Sequence, residues 1–188
     1  LSMVLKAPLN TSVIKVDDSH LIYLNDFGTV SYRSEDYTIE RFDVMSPSVH
    51  MVVSSHLELM NVTYPMELII RAKAKTGGLI TLSYLFEVYN KEDNDFLVSL
   101  GFSDGNLKNM RPFNVTKAAT VVRTDISLAP IAENKHGHFL YEGKSITGDC
   151  EPTLYFVSQH ISWMSVNQLN ELSYNVPKMK DTIPRAIG

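Results

Sequence analysis

Cysteine is nearly missing from this chain: Cys150 is the only one in 188 residues, so no disulfide can form within it. Long apolar runs are missing as well. A membrane-spanning helix needs roughly 20 apolar residues, and the longest candidate, Leu79 to Val88, is broken by Thr81, Ser83 and Glu87. That segment suits a strand. No charged-then-apolar leader stands at Leu1. Positive charge is not in excess, since 17 Lys and Arg face 21 Asp and Glu for a net charge of −4. Nucleic-acid binding rests on clustered Lys and Arg, whereas Lys108, Arg111, Lys117 and Arg123 are dispersed among polar residues. A nucleic-acid partner is therefore not expected. The chain has no Gly-rich phosphate loop and no Ser-centred nucleophile elbow, and Cys150 has no identifiable base, which leaves thiol catalysis unsupported.

What is present reads as one mainly β domain over residues 1–188, with a few short helices. The 44% hydrophobic and 20% charged content suits a globular domain with a sizeable core. Val13 to Val16 and Leu21 to Leu24 flank a turn at 17–20. Thr29 to Tyr32 and Tyr37 to Val44 alternate with period two. In Glu67 to Lys73 the same period puts Leu68, Ile70 and Ala72 on one face; Gly77-Gly78 then turns the chain into Leu79 to Tyr89, where Ile80, Leu82, Tyr84, Phe86 and Val88 share a face. Phe96 to Leu100 is a short apolar packing segment, and residues 104–137, weakly periodic, are expected to run over the surface. His138 to Tyr141 and Thr153 to Ser158 form a late strand pair. Ser165-Val-Asn-Gln168 has the form of a capping box and predicts a short helix through Leu172. Long strands joined by Gly turns point to a large, twisted, mostly antiparallel sheet. Three N-glycosylation sequons begin at Asn10, Asn61 and Asn114, and they favour secretory, lumenal or organellar residence over the cytosol.

Several segments carry a resemblance in order along the chain. Tyr64 to Lys73, YPMELIIRAK, resembles the strand Y-P-x-E-L-H-L-V-H of the alpha-class carbonic anhydrases. Phe42 to Ser48 resembles their F-H-F-H-x-P-S, and His50 stands at the His of S-E-H. Gly78 to Glu87 is similar to G-L-A-V-L-G-I-F-L-E, and Tyr141 to Cys150 to Y-x-G-S-L-T-T-P-P-C. Asp95-Phe-Leu97, Ile161-Ser162 with Ser165 to Leu169, and Ile183-Pro-Arg185 continue the series. The resemblance implies the sheet of that family, with the usual N-terminal segment absent and an insertion at 51–63. It also implies that Cys150 would pair with a cysteine in that absent segment. The residue-level alternative is a small buried hydrophobe.

The departures from the family pattern bear on function. Where the resemblance places three zinc-binding His, the chain has Asp43, Met45 and Ile69. An aspartate can ligate zinc, a thioether is a poor ligand, and isoleucine has no donor. The Thr that orients the bound hydroxide is Ile146, and the Glu that orients that Thr is Val49. His20 stands at the proton-shuttle position, a role with no purpose without a metal-bound water; its plain reading is an exposed turn His. His50 reads as a structural His bonded to nearby backbone. His136 and His138, with His160, are a set from which a new metal site could be imagined, although the sequence names no third ligand for it. The expectation is thus no metal, no cofactor and no hydratase activity. The resemblance implies a catalytically silent domain serving as a protein-binding module or a structural subunit of a larger assembly. Two alternatives stay open: a secreted or cell-surface adhesion glycoprotein, and a lyase or hydrolase with a rebuilt site. The partner is expected to be another protein, met by the insertion and the absent N-terminal region, with Leu57, Leu59 and Met60 as contact residues. In the emptied site, Arg71 is expected to approach Asp43 while Met45 and Ile69 occupy the metal's volume.

Overall fold

The computed structural model describes residues 1–5, 9–16, 20–24, 26–53, 61–89, 92–102, 121–132, 136–146, 150–175 and 185–187. Its centre is the predicted run of alternating strands. β1 (Ser2–Leu5), β2 (Leu9–Val16), β3 (His20–Leu24), β4 (Gly28–Tyr32) and β5 (Glu35–Met45) are followed by β6 (His50–Val53), β7 (Asn61–Thr63), β8 (Met66–Ala74) and β9 (Leu79–Val88). Helix α1 (Asp95–Ser99), β10 (Val121–Ile126), α2 (Ala129–Ala132), β11 (His138–Lys144), β12 (Pro152–Met164), α3 (Val166–Asn175) and β13 (Arg185–Ile187) complete the described chain. Ten strands form one sheet, whose main path runs β10-β2-β3-β5-β8-β9-β12-β11, with β4 also pairing β5 and β1 pairing β4.

The sheet is mixed. Most described pairs are antiparallel, as expected, but β12 lies parallel to β9 and β13 parallel to β6. A parallel neighbour needs a long crossover rather than a hairpin, and the chain between β9 and β12 supplies one. The β8–β9 hairpin closes where Gly77 takes φ 96°, a backbone conformation that glycine reaches without steric cost.

Both faces of the central strands are covered. Leu68, Ile70, Ala72, Ile80, Leu82, Tyr84 and Phe86 enter the principal core with Phe42, Val44 and Phe156. Val88, assigned to the same face by periodicity, is 37% exposed because the strand runs out of the core there. The other face carries Asp43, Met45, Glu67, Ile69, Thr81, Ser83 and Leu85, all buried. Period-two geometry alone dictates this sorting. The polar side chains of the second face are what make it a candidate site.

One sequence expectation is corrected. Residues 121–126 do not wander over the surface but pair with β2 as an edge strand, and Ile126, Leu128 and Ile131 enter the core. The charges of Arg123 and Asp125 hide that pattern from a periodicity count. The short apolar segment at 96–100 is largely helix α1, capped by Asn94, whose side chain accepts from the amides of Phe96 and Leu97. Within the segment read as an insertion, β6 and β7 pair antiparallel, and with β13 they make a separate three-stranded sheet. Leu57, Leu59 and Met60 lie outside the described residues, as do Asn114 and the turn at 17–19. Asn10 and Asn61 fall within β2 and β7.

Candidate functional site

Register brings the singled-out positions together. Asp43 of β5 lies opposite Ile69 of β8, and Met45 lies opposite Glu67. His20 begins β3 directly across from Met45. Beyond β5 the chain turns back over β8: Ser48 N–H donates to the Tyr64 carbonyl at 2.8 Å, and Tyr64 N–H donates to Ser48 Oγ at 2.9 Å. This turn carries Val49 onto the site face. Met45, Val49 and Ile69 are each at most 1% exposed and form one apolar cluster, with Ile146 packed against it. Four of the five positions at which the chain departs from the resemblance thus touch one another. Ile146 also joins the neighbouring cluster of Leu85, Tyr155 and Val157. Its backbone N–H donates to Tyr155 Oη at 3.1 Å, and that hydroxyl donates to the Lys144 carbonyl at 3.0 Å.

Asp43, the fifth position, is fully buried and ion-paired. Arg41 forks onto it, with Nε to Oδ2 at 3.0 Å and Nη2 to Oδ1 at 2.8 Å. Arg71, expected to approach Asp43, does lie near enough for the Asp43 charge to act on its guanidinium, while the fork itself comes from Arg41. Arg41 and Asp43 are two residues apart on one strand and share a face, so Arg41 reaches the carboxylate along the strand. Arg71, directly opposite Arg41, reaches Glu151 at 3.4 Å. Burial and the positive charge of Arg41 hold the Arg71 guanidinium below its usual range, and the charges of Asp43 and Glu151 offset part of that.

Beside the apolar cluster lies a buried polar hub that the sequence reading did not identify. Glu67 is wholly enclosed. Its Oε2 accepts from the amides of Val49 at 2.7 Å and His50 at 3.0 Å, and its Oε1 meets His50 Nδ1 and the Ser83 hydroxyl. Burial alone would push this carboxyl up, but the pull of His50 together with these hydrogen bonds outweighs it, so the pKa lies below the ordinary value. His50 Nε2 meets the Tyr141 hydroxyl. Its ring packs edge-on against Tyr141 and Tyr155, which stack on each other at 4.8 Å. His50 is therefore a structural histidine, as read, although its ring bonds side chains rather than backbone. Two signals were available: Glu67 stands among the apolar Met66, Leu68, Ile69 and Ile70 at the start of β8, and a buried carboxylate demands partners; Tyr141 opens the Tyr141 to Cys150 motif.

The remaining histidines sit elsewhere. The rings of His136 and His160 stack at 4.6 Å and 7°, a geometry in which their in-plane lone pairs run side by side rather than converging on one ion. His138 lies against Phe156, and burial lowers its pKa. Among the described residues, no group of three or more His, Cys, Asp or Glu could hold a metal ion. At the positions where the resemblance puts zinc ligands, the donors are one carboxylate already forked by Arg41, one thioether and none from Ile69. This set does not fit a zinc ion. Cys150 is exposed and unpaired by any disulfide within the described residues. No described helix is long and apolar enough to cross a membrane.

No family model matches the chain, and no curated protein matches it by sequence. Solved structures do match. An alpha-carbonic anhydrase from Photobacterium profundum aligns with a TM-score of 0.73 at 17% identity, over 94% of this chain and 73% of that one. A fungal alpha carbonic anhydrase from Aspergillus oryzae gives 0.74 at 16%, over 98% and 76%. Dioscorin, solved in complex with ascorbate, gives 0.68 at 13%, over 97% and 74%. Identities this low speak to architecture, and the architecture they establish for this chain is the alpha-carbonic-anhydrase fold.

Proposed function

We propose that this domain is a catalytically silent carbonic-anhydrase-like module that works by binding another protein, as a structural or interaction subunit of a larger assembly. The observation that carries the proposal is the buried apolar cluster of Met45, Val49 and Ile69, with Ile146 packed against it. A hydratase needs about three ligands and an open position for water on a rigid frame, and groups that orient the resulting hydroxide. Here aliphatic and thioether side chains stand at two of the ligand positions and at both orienting positions. The frame around them is intact, with Glu67 and His50 tying the turn after β5 to β8. Retention of that frame beside an apolar centre supports a role for the shape of the domain.

The test is metal content and turnover on the purified protein. Elemental analysis should return zinc far below one equivalent, and carbon dioxide hydration and ester hydrolysis should match the buffer rate. Stoichiometric zinc, or turnover that a chelator abolishes, would favour the lyase or hydrolase reading and overturn this one. For the positive role, co-purification from the native source should return a fixed protein partner. A variant with residues 54–60 replaced by a short turn, keeping β6 and β7, should lose that partner while remaining folded. If it folds and retains the partner, the hairpin is not the contact.

A further inference from the structure

Away from the emptied site, the parallel pairing of β9 and β12 builds a second feature. Glu87 lies opposite Trp163 in register, and Ile161 lies opposite Leu85. Tyr89 follows Glu87 by two residues, and its N–H donates to the Met164 carbonyl at 2.9 Å. Glu87 of β9, Tyr89 just beyond its end, and Ile161 and Trp163 of β12 thus lie side by side at alternate positions, and they line an open cleft of about 210 Å³. Trp163 is 38% and Tyr89 50% exposed, although large aromatic side chains gain stability from burial. Glu87 is exposed too and has no ion pair among the described residues. Its field is felt nearby: the Tyr64 hydroxyl is raised first by burial and then by the charge of Glu87.

We propose that this cleft binds an organic cation carried on an aliphatic stem, an alkylguanidinium or alkylammonium group. Indole and phenol faces attract cations through their quadrupoles, tryptophan most strongly. The Glu87 carboxylate supplies the opposite charge, and Ile161 an apolar wall for the stem. An anion would meet the carboxylate, and a neutral apolar group would leave it partly desolvated without a partner. The occupant is therefore cationic. It comes either as a free small molecule or as an Arg or Lys side chain displayed by a protein.

Trp163 is the only tryptophan in the chain, so intrinsic fluorescence reports on the cleft directly. The intact protein is titrated with N-acetyl-arginine amide, with tetramethylammonium and with neutral butylurea. A saturable change in Trp163 emission with at least one cation, and none with butylurea, is the expected result. Glu87→Gln should weaken the binding by about fivefold or more, and Tyr89→Leu by a smaller factor. Tighter binding of the arginine derivative assigns the site to a protein side chain, and tighter binding of tetramethylammonium assigns it to a free ligand. Far-UV circular dichroism checks that both variants are folded. Equal responses to cations and butylurea, or a folded Glu87→Gln variant that binds like the native protein, would overturn the proposal. This outcome is independent of whether the apolar centre near Ile69 is silent.

Discussion

Glu67 is a carboxylate enclosed on every side, and its four partners, two amides, one imidazole and one hydroxyl, make the charged form the favoured one. Its folded pKa is depressed, so its stabilising contribution is present above the unfolded value of about 4.3 and is lost as pH falls through the lower folded value. Glu67→Gln should therefore cost about 2–4 kcal/mol at pH 7, measured by urea denaturation. The gap between native and variant should narrow as pH drops below about 4. A gap that stays constant from neutral to strongly acidic pH would mean that Glu67 is not held as an anion. Arg41 poses a related question. Removing it by Arg41→Met strips the fork from the buried Asp43 carboxylate. Breaking a fully buried pair costs about 3–5 kcal/mol, but Arg41 keeps some contact with water, at 19% side-chain exposure. A loss of about 2–3 kcal/mol is expected, and Arg41→Met with Asp43→Asn should recover part of it, read from denaturation midpoints. No loss in the single variant would mean that Asp43 is held by other groups. At this scale sequence was a partial guide. It placed Met45, Val49, Ile69 and Ile146 together through the resemblance, but it did not single out Arg41, although Arg41 and Asp43 stand two residues apart on β5 and share a face.

Helix α3 was legible from four residues. Ser165 and Gln168 exchange the two bonds of a capping box, Gln168 N–H to Ser165 Oγ and Ser165 N–H to Gln168 Oε1, both at 3.1 Å. The helix runs three residues past the predicted Leu172, to Asn175. Not legible was the second use of Gln168. Its side chain accepts from Asn94 N–H and donates to the Asn94 carbonyl, both at 3.0 Å, and Asn94 is itself the cap of α1. One buried amide therefore ties two helix starts together, across the 74 residues that separate Gln168 from Asn94. Ser165→Ala should cost about 1 kcal/mol, the usual worth of a cap. Gln168→Ala should cost about 2–3 kcal/mol, because it also leaves Asn94 backbone groups without their partner. Equal losses in thermal or chemical unfolding would show that the α1–α3 tie carries no weight. The strands divide in the same way. β8 and β9 were readable because both alternate and one glycine turn joins them, whereas β1 and β10 are edge or near-edge strands whose pairing depends on distant partners. Periodicity records which face is buried; it does not record which strand lies alongside.

Across the whole molecule, a ten-stranded mixed sheet keeps the alpha-carbonic-anhydrase architecture at identities of 13–17% to the solved structures compared. The inward-facing positions of β5 and β8 lie side by side: Asp43 opposite Ile69, with Met45 two residues along on the same face. If these strands have the geometry of a metal site, histidines placed at these positions should converge on one ion. The triple variant Asp43→His, Met45→His and Ile69→His is therefore expected to bind about one equivalent of zinc, because three imidazoles on adjacent rigid strands meet the requirement of a zinc site with one position open. It should also be less stable than the native protein before metal is added, since it exchanges close apolar packing and the Arg41 pair for buried polar rings. Zinc should then return part of that stability by binding only the folded state. Carbon dioxide turnover should stay at the buffer rate in the triple variant, because Val49 and Ile146 provide no side-chain hydrogen bond to orient a bound hydroxide. Adding Val49→Glu and Ile146→Thr is the step expected to raise it. Dialysis with elemental analysis, unfolding with and without zinc, and stopped-flow hydration read these outcomes separately. A folded triple variant that takes up no zinc would show that these strands do not hold the geometry of a metal site, and that the likeness to the solved structures is one of the sheet alone.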